Sequence, residues 1–270
     1  MNNLFDLKDE IVIITGGTGT IGKAFSKALV DAGSKVVLWS RGKTVPLTDT
    51  VKEIETMTNT KGHVFAYKVD VSNKKSVKAG LADTVKDIGI PTVLINGAGG
   101  NKGKSSFIDA DLKVFEDVLK LNLLGGLMIP TQVIASYWIE NNFQGSIINV
   151  ASAASYIPLS GVWAYGAAKS AVINLTMGAA KEFAPYGIRV NGIAPGFFIG
   201  HQNRELLYED YENKKLSARG KAIIDHTPYD RFGETKDLFG TVVFLASGKA
   251  SGFITGVTIP VDGGYLIDNI

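Results

Sequence analysis

Tyr165 and Lys169 stand four positions apart in Tyr165-Gly166-Ala167-Ala168-Lys169, ahead of an alanine-rich run, so on a helix they share one face. A carbonyl that is being reduced needs a proton donor, and a phenol titrating near about 10 is poorly matched to neutral pH. An ammonium one helical turn away is expected to stabilise the phenolate and lower that pKa. Ser152, thirteen positions before Tyr165 at the end of an apolar run, offers a hydroxyl to the same substrate oxygen from the other side. Asn122, in Leu121-Asn122-Leu123, offers a buried amide to hold a water or orient Lys169. Tyrosine and lysine at this spacing are common on ordinary surfaces, so the pair gains weight from the order of the motifs around it.

The first of these motifs is Thr15-Gly16-Gly17-Thr18-Gly19-Thr20-Ile21-Gly22, between an apolar run and a helical pattern carried by Ile21, Phe25 and Leu29. Read as Gly17-x-Gly19-x-x-Gly22, it meets the dinucleotide fingerprint. Without Cβ atoms the chain can turn tightly and approach a pyrophosphate, while the helix N-terminus supplies N–H groups and a positive dipole. A turn that merely packs would use the same residues; its place after the first strand favours the nucleotide. After Val36-Val37-Leu38-Trp39, a site for NAD would usually carry a carboxylate for the ribose 2′-hydroxyl, and here Ser40 and Arg41 follow. A neutral hydroxyl and a cation accept a 2′-phosphate, which favours NADP(H) over NAD(H); the alternative is that Arg41 is a solvated loop charge. Asp70-Val71 and Asn96-Gly97-Ala98-Gly99 fall at the carboxyl ends of further strands, the edge where such sheets bind ligands.

The elements that must position these residues are legible as Val- and Ile-rich runs at Ile11–Thr15, Lys35–Trp39, His63–Lys68, Thr92–Ile95, Ser146–Val150, Arg189–Ile193 and Gly256–Pro260. Their continuous apolar character implies strands covered on both faces, and helix-length segments separate most of them. The expected fold is α/β, a doubly wound (Rossmann) seven-stranded parallel sheet in a single domain. Between Phe197 and Phe232 the rhythm gives way to a polar, charged stretch, expected to be a substrate lid at about residues 197–232.

The bulk properties exclude other classes. The chain has 270 residues, 45% of them hydrophobic, enough to close a core, and its 28 Lys plus Arg against 26 Asp plus Glu lack the basic excess of a nucleic-acid binder. With no cysteine there is no disulfide framework and no thiolate nucleophile, and no metal site is expected. The start, MNNLFDLKDE, is charged where a secretion leader would be apolar, and the apolar region from Leu121 to Ile139 is interrupted by Pro130, Thr131, Gln132 and Ser136. It reads as a buried helix. A cytoplasmic protein with a small-molecule partner, and neither a nucleic-acid nor a membrane partner, is expected.

From Thr15 to Gly264 these residues resemble the short-chain dehydrogenase/reductase family. The resemblance implies an NAD(P)-dependent oxidoreductase, with Tyr165 as acid and base and Lys169 on the nicotinamide ribose and tuning the phenol. It also implies that Ser152 polarises the substrate, that Asn122 serves a water relay, that Pro195, Gly196 and Phe198 adjoin the nicotinamide, and that the protein is a homotetramer. Two positions depart from the family: Thr20 stands where many short members have glycine, and Gly200 where members often have a threonine on the carboxamide. An altered loop shape with retained binding is expected, with the cofactor grip at Gly200 in question.

A closer resemblance rests on Ile95–Asn101, Leu121–Gly125, Pro130–Val133, Ala194–Phe198, Gln202-Asn203-Arg204, His226–Pro228 and Arg231–Gly233. Within the family these are similar to the D-mannonate oxidoreductases, also called fructuronate reductases. The implied substrate is a sugar acid, D-fructuronate or D-mannonate, whose carboxylate and hydroxyls Asn101, Asn203, Arg204 and His226 would meet alongside Ser152. The alternatives are a reductase of another polyol or keto acid, of gluconate or ketoacyl type, and a non-catalytic nucleotide-sensing regulator. The regulator would have no need of Ser152, Tyr165 and Lys169 together.

Overall fold

Strands buried on both faces have no polar side to alternate with, and the Val- and Ile-rich runs accordingly become the centre of the molecule. In the computed structural model, which describes residues 3–43, 45–159, 161–200 and 204–268, seven of them form one parallel sheet. In chain order the strands are β1 (Ile11–Thr15), β2 (Lys35–Ser40), β3 (Val64–Lys68), β4 (Val93–Asn96), β5 (Gly145–Val150), β6 (Ile188–Pro195), β7 (Tyr208–Asp210), β8 (Lys215–Leu216) and β9 (Thr258–Val261). The large sheet runs β3-β2-β1-β4-β5-β6-β9, and β7 and β8 pair apart from it. The expected strands hold to within two residues at every end, the largest differences being the carboxyl end of β6, which runs on to Pro195, and the start of β9. Strand order reverses between β1 and β4, which opens a crevice at their carboxyl ends.

The helices are α1 (Thr20–Asp31), α2 (Leu47–Thr58), α3 (Lys74–Asp87), α4 (Leu112–Leu119), α5 (Ile129–Glu140), α6 (Trp163–Phe183), α7 (Arg204–Leu207), α8 (Ala218–Asp225), α9 (Phe239–Ala246) and α10 (Gly248–Ser251). Alternate residues of β1 serve two cores. Val12 and Ile14 meet Phe25 and Leu29 of α1 and Leu245 of α9, while Ile13 faces the side of Ile134 and Trp138 on α5.

Residues 112–140 are one long helix whose middle, Lys120–Met128, is π-helical. By length and composition it could cross a bilayer, but over half of its most apolar window is buried inside the fold, as a core helix requires. The widened turn has a packing reason. Gly125 lies where a Cβ would come within 3.3 Å of the Ser72 nitrogen, and a Cβ at Gly126 would collide with the Ala98 carbonyl, so two glycines let the helix approach the ends of β3 and β4.

A buried polar chain crosses the same region. Asn96 Nδ2 donates to Thr131 Oγ1 of α5 (2.9 Å) and Asn149 Oδ1 of β5 (2.8 Å). Asn149 Nδ2 donates to Thr176 Oγ1 of α6 (2.9 Å), which donates to the Val172 carbonyl (2.7 Å).

The segment expected as a lid carries secondary structure of its own among its described residues. It holds α7, the β7–β8 hairpin and α8 around a small core of Leu207, Ile223 and Phe232. The C-terminal turn fastens its base: Tyr265 packs edge-on against Phe197 with ring centroids 4.9 Å apart, and the Tyr229 N–H donates to the Gly263 carbonyl at 3.2 Å.

Candidate active site

Helix α6 carries Tyr165 and Lys169 on its sheet-facing side, beside the carboxyl end of β5. Lys169 is buried; its Nζ donates to the Val150 carbonyl at 2.6 Å and lies 5.7 Å from the centroid of the Tyr165 ring. The pairing expected from the spacing is therefore present, but its electrostatics differ. Burial pushes the Tyr165 phenol up rather than down, and the group that opposes this is Ser152, through a side-chain hydrogen bond. Lys169 is not among the groups acting on the phenol, and burial brings the lysine itself down to about 8, so it keeps its charge at neutral pH and loses it in alkaline solution.

Ser152 is fixed by a capping box that the sequence reading overlooked. Its Oγ accepts from the Ala154 N–H at 3.2 Å, and its own N–H donates to Ser155 Oγ at 3.2 Å.

Asn122 lies in the π-helical turn. Its Nδ2 donates to the Gly100 and Val118 carbonyls, each at 2.8 Å, and its Oδ1 accepts from the Gly100 N–H at 3.1 Å. Rather than offering a free amide, it clamps the loop after β4. A Cβ at Gly99 would lie 2.6 Å from Asn122 Oδ1 and 3.6 Å from Lys169 Nζ, so this glycine passes between the two.

The glycine turn has the shape that a dinucleotide needs. Gly16 adopts φ +68°, and a Cβ there would lie 2.8 Å from Ala98 Cα; one at Gly22 would lie 2.7 Å from the Gly16 carbonyl oxygen. At Gly17 it would strike Leu38 at 2.7 Å. Gly19 caps α1 without a side-chain bond, and the first turn has no acidic residue, so no side chain competes for an anion at that N-terminus. Ile21 packs on the core behind it. Thr15 is fully buried, its Oγ1 accepting from the Gly97 and Ala98 N–H groups at 3.1 Å, so it shapes the cradle rather than lining it.

At the end of β2, the hydroxyls of Ser40 and Thr18 lie 3.2 Å apart and Arg41 is exposed. The Asp70 carboxylate is held below its usual range, first by the Ser72 hydroxyl at 2.6 Å and further by Arg41 and Lys43; Val71 is buried. Pro195 ends β6. A Cβ at Gly196 would lie 2.8 Å from Asp262 Cα, so glycine lets this loop meet the end of β9. The Phe198 side chain is buried and packs its ring against Gly233.

The two departures from the family pattern meet in space. A Cβ at Gly200 would lie 3.0 Å from Thr20 Oγ1, so the bulk gained at one position is matched by bulk lost at the other. Gly200→Thr alone is expected to weaken cofactor binding about tenfold, since overpacking costs roughly 1–3 kcal/mol. Thr20→Gly combined with Gly200→Thr is expected to restore most of that. Fluorescence titration of the reduced cofactor reads both, and a double variant no tighter than Gly200→Thr would disprove the exchange.

The remaining residues do not converge equally. Asn101 Nδ2 is spent on the Gly103 carbonyl at 2.7 Å, and His226 is exposed at the end of α8, 6.4 Å from the Tyr265 ring. Arg204 opens α7, and Asn203 lies outside the described residues. The sequence reading missed the Val150 carbonyl, and it missed Trp163, whose Nε1 ties the start of α6 to the Ser105 carbonyl at 3.1 Å. A readable signal existed for the π-helical turn: adjacent glycines inside a helix, in Leu124-Gly125-Gly126-Leu127.

The model of the family described as short chain dehydrogenase matches residues 10–209. The chain belongs to that family. This short chain dehydrogenase is 36% identical to an uncharacterized oxidoreductase, UxuB, of Bacillus subtilis over 97% of its own length and 96% of the relative's. Among solved structures, one from Haemophilus influenza, provisionally assigned as a D-mannonate oxidoreductase and holding NAD, superposes with a TM-score of 0.88 at 32% identity, covering 99% of each chain. A gluconate 5-dehydrogenase from Burkholderia cenocepacia, in complex with NADP and tartrate, gives 0.87 at 29% identity, again over 99% of each chain. The protein is thus an enzyme of the oxidoreductase class, with a single doubly wound domain.

Proposed function

We propose that this enzyme interconverts a keto-sugar acid and its alcohol, D-fructuronate and D-mannonate, using NADP(H) in preference to NAD(H). The observation that carries the reading is a buried, protonated phenol, Tyr165, beside Ser152 and a buried lysine at the carboxyl edge of the sheet. The sugar-acid assignment draws on the mannonate and gluconate relatives. The glycine cradle and the uncapped N-terminus of α1 fit a pyrophosphate, and Lys169 and Tyr165 would border the nicotinamide ribose.

When bound, the nicotinamide supplies or accepts the hydride. Tyr165 gives its hydroxyl proton to the carbonyl oxygen, and burial keeps that proton in place at neutral pH, which suits reduction. Ser152, locked by Ala154 and Ser155, holds the same oxygen. Asn122 keeps the Gly99–Gly100 loop against Lys169, and the 197–232 segment covers the substrate as a lid. In oxidation Tyr165 must first lose its proton, so that direction favours alkaline pH.

Cofactor choice turns on the absence of a carboxylate at Ser40 and on the exposed Arg41. The apolar side chains Leu112, Leu124 and Met177, exposed on the long helix and α6, support packing against further copies, in keeping with a cytoplasmic homotetramer.

The test is oxidation of NADPH and NADH with fructuronate, 5-ketogluconate and a ketoacyl thioester. Fructuronate with NADPH is expected to give the highest kcat/KM. Arg41→Ala is expected to lose about tenfold with NADPH and little with NADH, the size of one charge-assisted phosphate contact. Preference for another acid or for NADH would overturn the corresponding half of the assignment.

A further inference from the structure

We propose that Arg204, laid flat on Tyr211, is the receptor for the substrate carboxylate; this deepens the sugar-acid reading and rests on it. The guanidinium carbon lies 3.8 Å from the centroid of the Tyr211 ring, and Nε is buried without a hydrogen-bond partner. Three other cations of the same segment are paired, and among the described cations only Arg204 has a buried nitrogen left without a partner. Lys215 pairs with Glu209 at 2.7 Å, Lys221 with Asp225 at 2.7 Å, and Arg231 with Asp237 at 2.7 Å. Arg204 has no such carboxylate among the described residues.

A partly buried guanidinium with a dehydrated, unpaired nitrogen is unfavourable until an anion completes it. Its planar fork matches a carboxylate through two parallel N–H bonds, and stacking on an aromatic face fixes the plane while leaving that edge free. Tyr211 is itself held, edge-on to Tyr208 with centroids 5.2 Å apart, and Tyr208 rests against Phe232 at 5.9 Å. Tyr211 is therefore a positioning residue. Arg204 is also tied to the cofactor side of the crevice, because its N–H donates at 3.1 Å to the carbonyl of Gly200, the residue that abuts Thr20. The carboxylate and a cofactor phosphate are the two anions that could reach it, and the assignment here is to the carboxylate.

The experiment compares Arg204→Gln, Arg204→Lys, Tyr211→Leu and Tyr211→Phe on two ketones: fructuronate, and fructose, in which a hydroxymethyl group replaces the carboxylate. Arg204→Gln is expected to raise KM for fructuronate roughly a hundredfold, as loss of a desolvated charge pair does, with little change in the weak activity on fructose. Arg204→Lys, which keeps the charge without the fork, should fall between. Tyr211→Leu is expected to raise KM for the acid about tenfold, and Tyr211→Phe to match the wild type, since the ring face is what counts. The dissociation constant of the reduced cofactor, from fluorescence titration, should be unchanged in all four. Weakened cofactor binding in Arg204→Gln would assign the residue to a phosphate instead, and equal losses on acid and neutral ketone would make it structural. Unchanged kinetics on fructuronate in Arg204→Gln would remove Arg204 while leaving the sugar-acid reading intact. A wild type that reduces no sugar acid would remove that reading, and this inference with it.

Discussion

Tyr165→Phe is expected to turn over substrate about a thousandfold more slowly than the wild type, within the range that a positioned general acid contributes, while binding the reduced cofactor equally well. The substitution keeps the ring that lies beside Lys169 and removes only the hydroxyl, on which Ser152 acts. Packing is therefore preserved and the proton is lost. Because burial holds the phenol protonated at neutral pH, no other described group is placed to replace it: Ser152 is an alcohol fixed in its capping box, and Lys169 is committed to the Val150 carbonyl. Single-turnover measurement of cofactor oxidation separates this from a binding defect. Turnover within a few-fold of the wild type would remove Tyr165 from the chemistry.

Lys169→Met is expected to lose roughly a hundredfold or more in turnover and to change how stability depends on pH. Burial lowers the lysine from its ordinary 10.5 to about 8. Between those two values the unfolded chain binds more protons than the folded one, so the wild type gains stability as pH rises through that window. Below about 8 the lysine is charged in both states and the cost of burying it is felt in full. The variant has no such group. The difference in melting temperature between wild type and Lys169→Met should therefore move in the wild type's favour from pH 7.5 to 10, and parallel curves would mean that the buried ammonium is not perturbed.

The sheet was legible because its strands are covered on both faces, so runs such as Ile11–Thr15 and Ser146–Val150 declare themselves without partners. The glycine turn and the four-residue spacing of Tyr165 and Lys169 were legible for the same reason: each is a local pattern. What the sequence hid depends on distant contacts. The direction of the Tyr165 shift is set by the elements that bury it, the widened turn around Asn122 by the approach of Ala98 and Ser72, and the match of Thr20 to Gly200 by two segments far apart in the chain. The β7–β8 hairpin escaped notice because Tyr208-Glu209-Asp210 and Lys215-Leu216 are too short and too polar to read as strands.

Where every side chain on both faces is aliphatic, sliding one strand past its neighbour by a residue or two exchanges one oily contact for another, and little in the hydrophobic pattern forbids it. The amides of Asn96 and Asn149 forbid it here. Slip at β4 or β5 would strand their Nδ2 groups among isoleucines and valines with no acceptor, a penalty of about 1–3 kcal/mol for each unmet donor. The alignment that those side chains lock is the one that brings the Gly97–Gly99 loop and Ser152 to the same rim, so misthreaded chains are rejected before an active centre can assemble.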